Sequence, residues 1–249
     1  MNIVLLDQMA GTQDSKKSHS RQDATDTVFI TELAQVRHIQ QVLKLKVGER
    51  LKVGQVNGAL GSAQIAQILT DKVVLTDIEL DSKPPTKLDL KIVLALPRPK
   101  VLRRLIMDMT AIGVSDIVLV NSYRSDKSYW QSPMLKRLDE FVIAGLQQGV
   151  DTVPPTIHLK QRFKPFVEDE LPQMIAGKRA AVMHPYAIAS FSEFTNDGGL
   201  PQLLCIGAEG GWIDYEVQLF QAQGCQALNL GDRILRTEAV VNALCGRYL

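Results

Sequence analysis

Two strand-to-helix turns near the C-terminus limit this chain more than any other stretch. Residues 203–206 form an apolar run that enters the glycine-dense turn Gly207-Ala208-Glu209-Gly210-Gly211, and a helical pattern follows over 214–223. Gly224 fits the stop of that helix, residues 226–230 read as a second short strand, and Gly231 opens a second turn before the pattern becomes helical again near Thr237. Strand, loop and helix, repeated, put two sets of main-chain amides at the carboxyl ends of consecutive strands, where open α/β sheets bind their ligands. One glycine turn alone says little, since glycine is simply the residue that tolerates φ > 0. The pair of loops is the constraint.

With 249 residues the chain is long enough for one large domain or two modest ones, each with its own core. Apolar residues make up 45% and charged residues 22%, and no apolar run approaches the roughly 18 residues of a membrane span. The N-terminal stretch MNIVLLDQMAGTQD has no basic segment before its apolar residues, so it reads as a strand and not as a signal peptide, and a cytoplasmic protein is expected. The three cysteines, Cys205, Cys225 and Cys245, are odd in number and lack C-x-x-C spacing, which indicates neither a disulfide framework nor a zinc site. Histidines at 19, 38, 158 and 184 are too scattered to form a metal cluster by local spacing, and no metal is expected. The net charge of +1 is low for a protein that grips naked RNA through many phosphates, although a local basic patch offset by acids elsewhere gives the same sum.

Residues 1–82 read as a small β-rich domain. A strand at 3–6, a polar loop at 11–26 and a strand at 28–30 precede a helix at 31–43, where Leu33, Val36, Ile39, Val42 and Leu43 recur at helical steps and Thr31 stands as N-cap. Turn signals at Asn57-Gly58 and Gly61 separate the strands that follow, and residues 73–80 complete the set. Pro84-Pro85 can continue neither strand nor helix, so the boundary falls between 82 and 83. Beyond it the pattern alternates: strand 90–96, helix 99–112 stopped at Gly113, strand 117–120, helix 133–148, then strand 179–184. That alternation signals a mainly parallel sheet.

The stretches IGAEGGWIDYE and LNLGDRILRTEA resemble the I-G-P-E-G-G…E and L-G-x-R-I-L-R-T-E-T-A signatures of the SPOUT-type RNA methyltransferases, and most closely the RsmE-like family. HIQQVLKLKVGERLKV resembles the H-I-x-x-V-L-R-x-K-x-G-D segment of that family's PUA-like domain, and ALPRPKVLRRLIMDMTAIGVSDIVLVNSYRS resembles its K-x-x-R…E-L-G-V-x-x-I…R-S segment. The resemblance implies a PUA-like β-barrel over 1–82 that contacts RNA, and over 83–249 an α/β SPOUT domain with a trefoil knot and a mainly parallel sheet. It further implies S-adenosyl-L-methionine as cofactor, N3 of a uridine in 16S ribosomal RNA of the small subunit as target, and a homodimer. His184-Pro185 stands where the family has its first cofactor loop. Ile206, Gly207, Ala208, Glu209, Gly210 and Gly211 form the second, and Leu230, Gly231, Ile234, Leu235, Arg236 and Thr237 the third.

The chain also departs from the family pattern. Ala111 replaces a glutamate, Asp108 a lysine, and Gln147-Gln148-Gly149-Val150 stands for E-Q-x-R, while Ala208 and Ala239 replace a proline and a threonine of the knot loops. Loss of both partners of an ion pair costs a fold little. It also fits a changed substrate, so a paralogue that methylates another RNA base, or that only binds RNA, is the competing expectation. A dinucleotide-dependent oxidoreductase is disfavoured, because no G-x-G-x-x-G follows an early strand.

Methyl transfer from a sulfonium asks mainly for positioning, and uridine N3 is a poor nucleophile until it loses its proton. A cation beside the uracil carbonyls favours the anion, and Arg236, at the end of the second glycine loop, is the catalytic candidate; the competing role is a brace paired with Glu209 or Glu238. No general base is evident. Arg37, Lys44, Arg103, Arg104, Arg124 and Lys127 are the candidate RNA contacts. Arg124 and Lys127, with Tyr129 and Trp130, either clamp an unpaired base or form an ordinary surface loop anchored by the tryptophan.

Overall fold

The computed structural model describes residues 2–6, 27–196 and 198–249; the expected polar loop at 11–26 lies outside them. Two compact units form, Met1–Pro85 with Leu146–Pro154, and Thr86–Gly145 with Pro155–Leu249.

In the first unit β1 (Val4–Leu6), β2 (Val28–Ile30), β3 (Arg50–Gln55), β4 (Leu60–Ile68) and β5 (Val73–Ser82) make one barrel-like sheet in the order β1-β3-β4-β5-β2. β1 runs parallel to β3 and the other neighbours are antiparallel. Alternation sends Leu51, Val53, Ala63, Ile65, Val73 and Leu75 to one side, where Val36 and Ile39 of the intervening helix close the core. That helix runs over Leu33–Arg37 and continues with wider turns through His38–Leu43. Glu32, not Thr31, holds the N-cap position, and its side chain makes no capping bond.

Asn57-Gly58 does lie in the β3–β4 connection, with Asn57 at φ 61°. Gly61 is no turn. It sits inside β4, where an added Cβ would overlap the carbonyl of Glu79 in β5, so the glycine permits close strand approach. The segment 146–154 joins this unit although it lies beyond the proline linker, because main-chain bonds tie it there: Asn2 N–H donates to Gln147 O and Asn57 N–H to Thr152 O, each at 2.8 Å. Val150 takes a left-handed backbone at φ 54°, an uncommon state for a β-branched residue.

The second unit is built on a 7-stranded sheet of β6 (Leu88–Ala95), β7 (Val114–Val120), β8 (Thr156–Lys160), β9 (Ala180–Met183), β10 (Ala189–Ser190), β11 (Leu203–Ile206) and β12 (Gln226–Asn229). The order is β10-β12-β9-β11-β6-β7-β8, and every pairing is parallel. β9 and β11 are apolar and buried at every position, as strands covered on both faces must be. The helix Pro99–Ile112 begins with proline at its first turn and ends at Gly113, whose φ of 98° is the left-handed stop. On one side of the sheet Phe166, Trp212 and Phe220 form the bulk of a core closed over Val93, Val182 and Cys205. Among the described residues no helix is long and apolar enough to cross a membrane.

Candidate active site

β12, β9 and β11 are neighbours in the sheet, so their carboxyl ends, at Asn229, Met183 and Ile206, converge on one place. A cavity of about 540 Å³, part of it open to solvent, lies there. Its walls come from three loops. Met183, His184 and Pro185 follow β9; Ile206, Gly207, Gly211 and Trp212 follow β11; Leu228, Asn229, Leu230, Arg233, Ile234, Leu235, Thr237 and Val240 come from β12, its loop and the next helix. Nine of the residues expected from sequence therefore share one wall: His184, Pro185, Ile206, Gly207, Gly211, Leu230, Ile234, Leu235 and Thr237.

Hydrogen bonds lock the loops to one another. His184 N–H donates to Leu228 O at 2.9 Å, Asn229 Nδ2 donates to Ala187 O at 2.7 Å, and Gly231 N–H donates to Asn229 Oδ1 at 2.9 Å. Asn229 thus joins the loop after β9 to the loop after β12. Sequence reasoning missed it, although Asn two residues before Gly at a strand end is the signal of a side chain that bonds the backbone two residues on. Thr237 Oγ1 donates to Gly207 O at 3.2 Å and ties the loop after β11 to the end of the loop after β12. At Gly207 an added Cβ would meet Gly211 Cα at 2.9 Å, so the turn closes only on glycine.

Ala208, Glu209, Gly210, Gly231 and Arg236 do not line this cavity. Ala208 is buried in the core, and Glu209 Oε1 accepts from Arg98 N–H at 3.2 Å. Gly210 O accepts from Arg124 Nη1 at 2.8 Å. Glu216, two per cent exposed, accepts from Tyr123 N–H at 2.8 Å and from Ile213 N–H at 2.9 Å, which pins the helix Asp214–Ala222 and the loop after β7 to the same turn. Burial raises the Glu216 carboxyl above its ordinary value, against the opposing pull of those two donors and of Arg124.

Arg236 borders a second, shallow cleft lined by Arg104, Asp108, Arg236, Glu238 and Ala239, about 600 Å³ with the open solvent at its mouth included. Leu235, Thr237 and Val240 face the first cavity while Arg236, Glu238 and Ala239 face the second, so one stretch of chain forms a wall of both. Glu238 is paired with Arg104 at 2.7 Å, and among the described residues the Arg236 guanidinium has no hydrogen bond or ion pair. Asp108 accepts from Asn242 Nδ2 at 3.2 Å. Cys245, buried at the end of the helix Thr237–Cys245, is pushed up to about 12 by burial and by the negative charge of Asp108, so it stays a neutral thiol.

The other expected RNA contacts are dispersed. Arg37 and Lys44 belong to the first unit, both exposed. Arg103 lies over the Phe141 ring at 5.9 Å, Arg104 is held by Glu238, and Lys127 is exposed on a short helix, Lys127–Gln131, capped by Asp126. Trp130 Nε1 donates to Asn121 Oδ1 at 3.0 Å, which anchors that loop. Among the described residues no group of three or more His, Cys, Asp or Glu is placed to hold a metal ion.

The main cavity suits a small organic molecule: apolar side chains of Ile206, Leu228, Leu230, Ile234 and Val240 alternate with the main chain of glycine turns. Residues 84–248 match the RNA methyltransferase domain family. The chain is similar to ribosomal RNA small subunit methyltransferase E of Treponema pallidum (strain Nichols), with 32% identity over 221 residues, 85% of this chain and 81% of that protein. It is similar to the protein of the same name from Synechocystis sp., with 27% identity over 84% of this chain and 68% of that one. Among solved structures, ribosomal RNA small subunit methyltransferase E from Neisseria gonorrhoeae bound to S-adenosyl methionine superposes with a TM-score of 0.69 at 19% identity, covering 98% of this chain and 96% of that one. A Legionella pneumophila protein in complex with the same cofactor gives a TM-score of 0.73 at 17% identity, covering 99% and 96%. The fold is that of a SPOUT-type domain preceded by a PUA-like barrel.

Proposed function

This chain belongs to the RNA methyltransferase domain family, in the branch of the small-subunit methyltransferase E proteins, and on that premise we propose that it methylates N3 of a uridine in 16S ribosomal RNA. The observation that carries the proposal is the cavity formed by three linked loops at the ends of β9, β11 and β12. S-adenosyl-L-methionine supplies an electrophilic methyl group when bound. Main-chain groups around Ile206, Gly207, Gly211, Leu230 and Leu235 hold it, and the apolar side chains of Ile234 and Val240 keep water from it.

Arg236, unpaired and one residue from the cavity wall, stabilises the negative charge that grows on the uracil carbonyls as N3 gives up its proton. The first unit contacts RNA through Arg37 and Lys44. The protein works in the cytoplasm as a homodimer, and the loops after β9, β11 and β12 form the trefoil knot of the family. Mass spectrometry of small-subunit RNA from a deletion strain tests the proposal. Loss of a 3-methyluridine is expected; loss of a different methylated base, or an unchanged profile, would redirect it.

A further inference from the structure

We propose that Asp108 is the proton acceptor for the uracil imide and reads the edge that distinguishes uridine from cytidine. The proposal rests on the uridine reading above, and its experiment separates the two. The second cleft holds two carboxylates and two guanidinium groups, and their pairing is uneven. Glu238 is committed to Arg104 at 2.7 Å, whereas Asp108 accepts a single bond, from the neutral amide of Asn242, onto Oδ2. Its other oxygen has no partner among the described residues, and Arg236 in the same cleft is likewise unpaired.

A carboxylate with one free oxygen and an unpaired guanidinium lining the same cleft are complementary to one nucleobase edge. Uracil presents acceptor, donor, acceptor across O4, N3–H and O2, so N3–H meets Asp108 while a carbonyl oxygen meets Arg236. Cytosine presents a bare N3 lone pair at the same place, which faces a carboxylate with no proton between them. The step balances. The N3–H proton passes to Asp108 Oδ1, the N3 electron pair forms the new N–CH3 bond, and the sulfonium leaves as a neutral thioether. Placement brings the two sites together, because Leu235, Thr237 and Val240 line the cofactor cavity while Arg236, Glu238 and Ala239 of the same stretch line this cleft.

The experiment compares wild type, Asp108→Asn and Asp108→Glu. Wild type is first used to find the uridine it methylates in small-subunit RNA; if it forms no 3-methyluridine, the function proposed above fails and this role with it. Given that product, Asp108→Asn should lower turnover about 100-fold or more at neutral pH, as loss of a general base does. The deficit should shrink as the pH approaches ionisation of the imide itself, and Asp108→Glu should keep a measurable share of the rate. Without cofactor, wild type should prefer an RNA carrying uridine at the target over one carrying cytidine by about tenfold, and Asp108→Asn should lose most of that preference. Unchanged turnover in Asp108→Asn, a deficit that does not vary with pH, or equal loss of thermal stability and cofactor affinity in both variants would overturn the role.

Discussion

The guanidinium of Arg124 donates to the carbonyl of Gly210 at 2.8 Å, and a methyl group on Gly210 would lie 2.8 Å from Arg124 Cβ. The side chain packs against the glycine turn and does not line the cavity. Arg124→Ala removes a charge-assisted bond from a turn that carries part of the cofactor wall, and because the group is exposed the loss stays modest. Calorimetry should show cofactor affinity reduced several-fold. RNA affinity should fall by no more than the loss of one phosphate-directed cation; a far larger fall would return Arg124 to the RNA interface expected from sequence.

Glu216 should give the protein a pH-dependent stability in the acid range. Its folded-state pKa lies above the ordinary value because burial disfavours the anion. Between the unfolded and the folded values the native state then holds more protons, so stability is fully present below the ordinary carboxylate range and declines as pH rises through the raised one. Glu216→Gln should abolish that slope. One amide oxygen cannot accept from both Tyr123 and Ile213, so the variant should also lose about 1–3 kcal/mol, read by denaturant titration.

Gly207→Ala tests whether the first turn is held by backbone closeness. Its new Cβ would stand 2.9 Å from Gly211 Cα and 3.1 Å from Trp212 N, contacts to main chain that cannot rotate away. Cofactor affinity should drop by tenfold or more while the fold persists, because the loop must open at the cavity and not in the sheet. Calorimetry beside a melting curve checks it: a lowered Tm with unchanged affinity would show that the turn matters to the core alone.

Two of the elements around the site were legible in the sequence because β11 is apolar and buried at every position and the helix Pro99–Ile112 is stopped by Gly113. Residues 203–206 and the helix Pro99–Ile112 coincide with their expected bounds. β8 was not foreseen: it is an edge strand whose residues, among them His158 and Lys160, are all half-exposed or exposed, so no buried apolar run marks it. Gly61 misled for a physical reason, since a glycine required by close strand approach looks in sequence like one required by a turn. Asn229 and Arg233 line the cavity although only their neighbours were expected to, because the sequence cannot tell which side of a loop faces inward. The same limit moved Glu209 and Gly210 to the outer side.

Arg236 remains the decisive residue, and its surroundings sharpen the test. The brace expected as an alternative required Glu209 or Glu238, but Glu209 accepts from the Arg98 amide and Glu238 is paired with Arg104. Its guanidinium borders the second cleft, while main-chain and side-chain groups of Leu235 and Thr237 line the cofactor cavity. Arg236→Ala should therefore leave cofactor affinity and Tm nearly unchanged and reduce turnover by about 100-fold or more, the scale of one lost donor to a developing anion. Arg236→Lys should recover only part of the rate, because an ammonium is a point charge without the planar fork. The alanine variant should gain on wild type as pH rises toward ionisation of the imide, since a substrate already anionic needs less help to become so. If instead the cofactor is lost and the protein melts early, Arg236 holds the loop after β12 in place and the anion must be stabilised by another group.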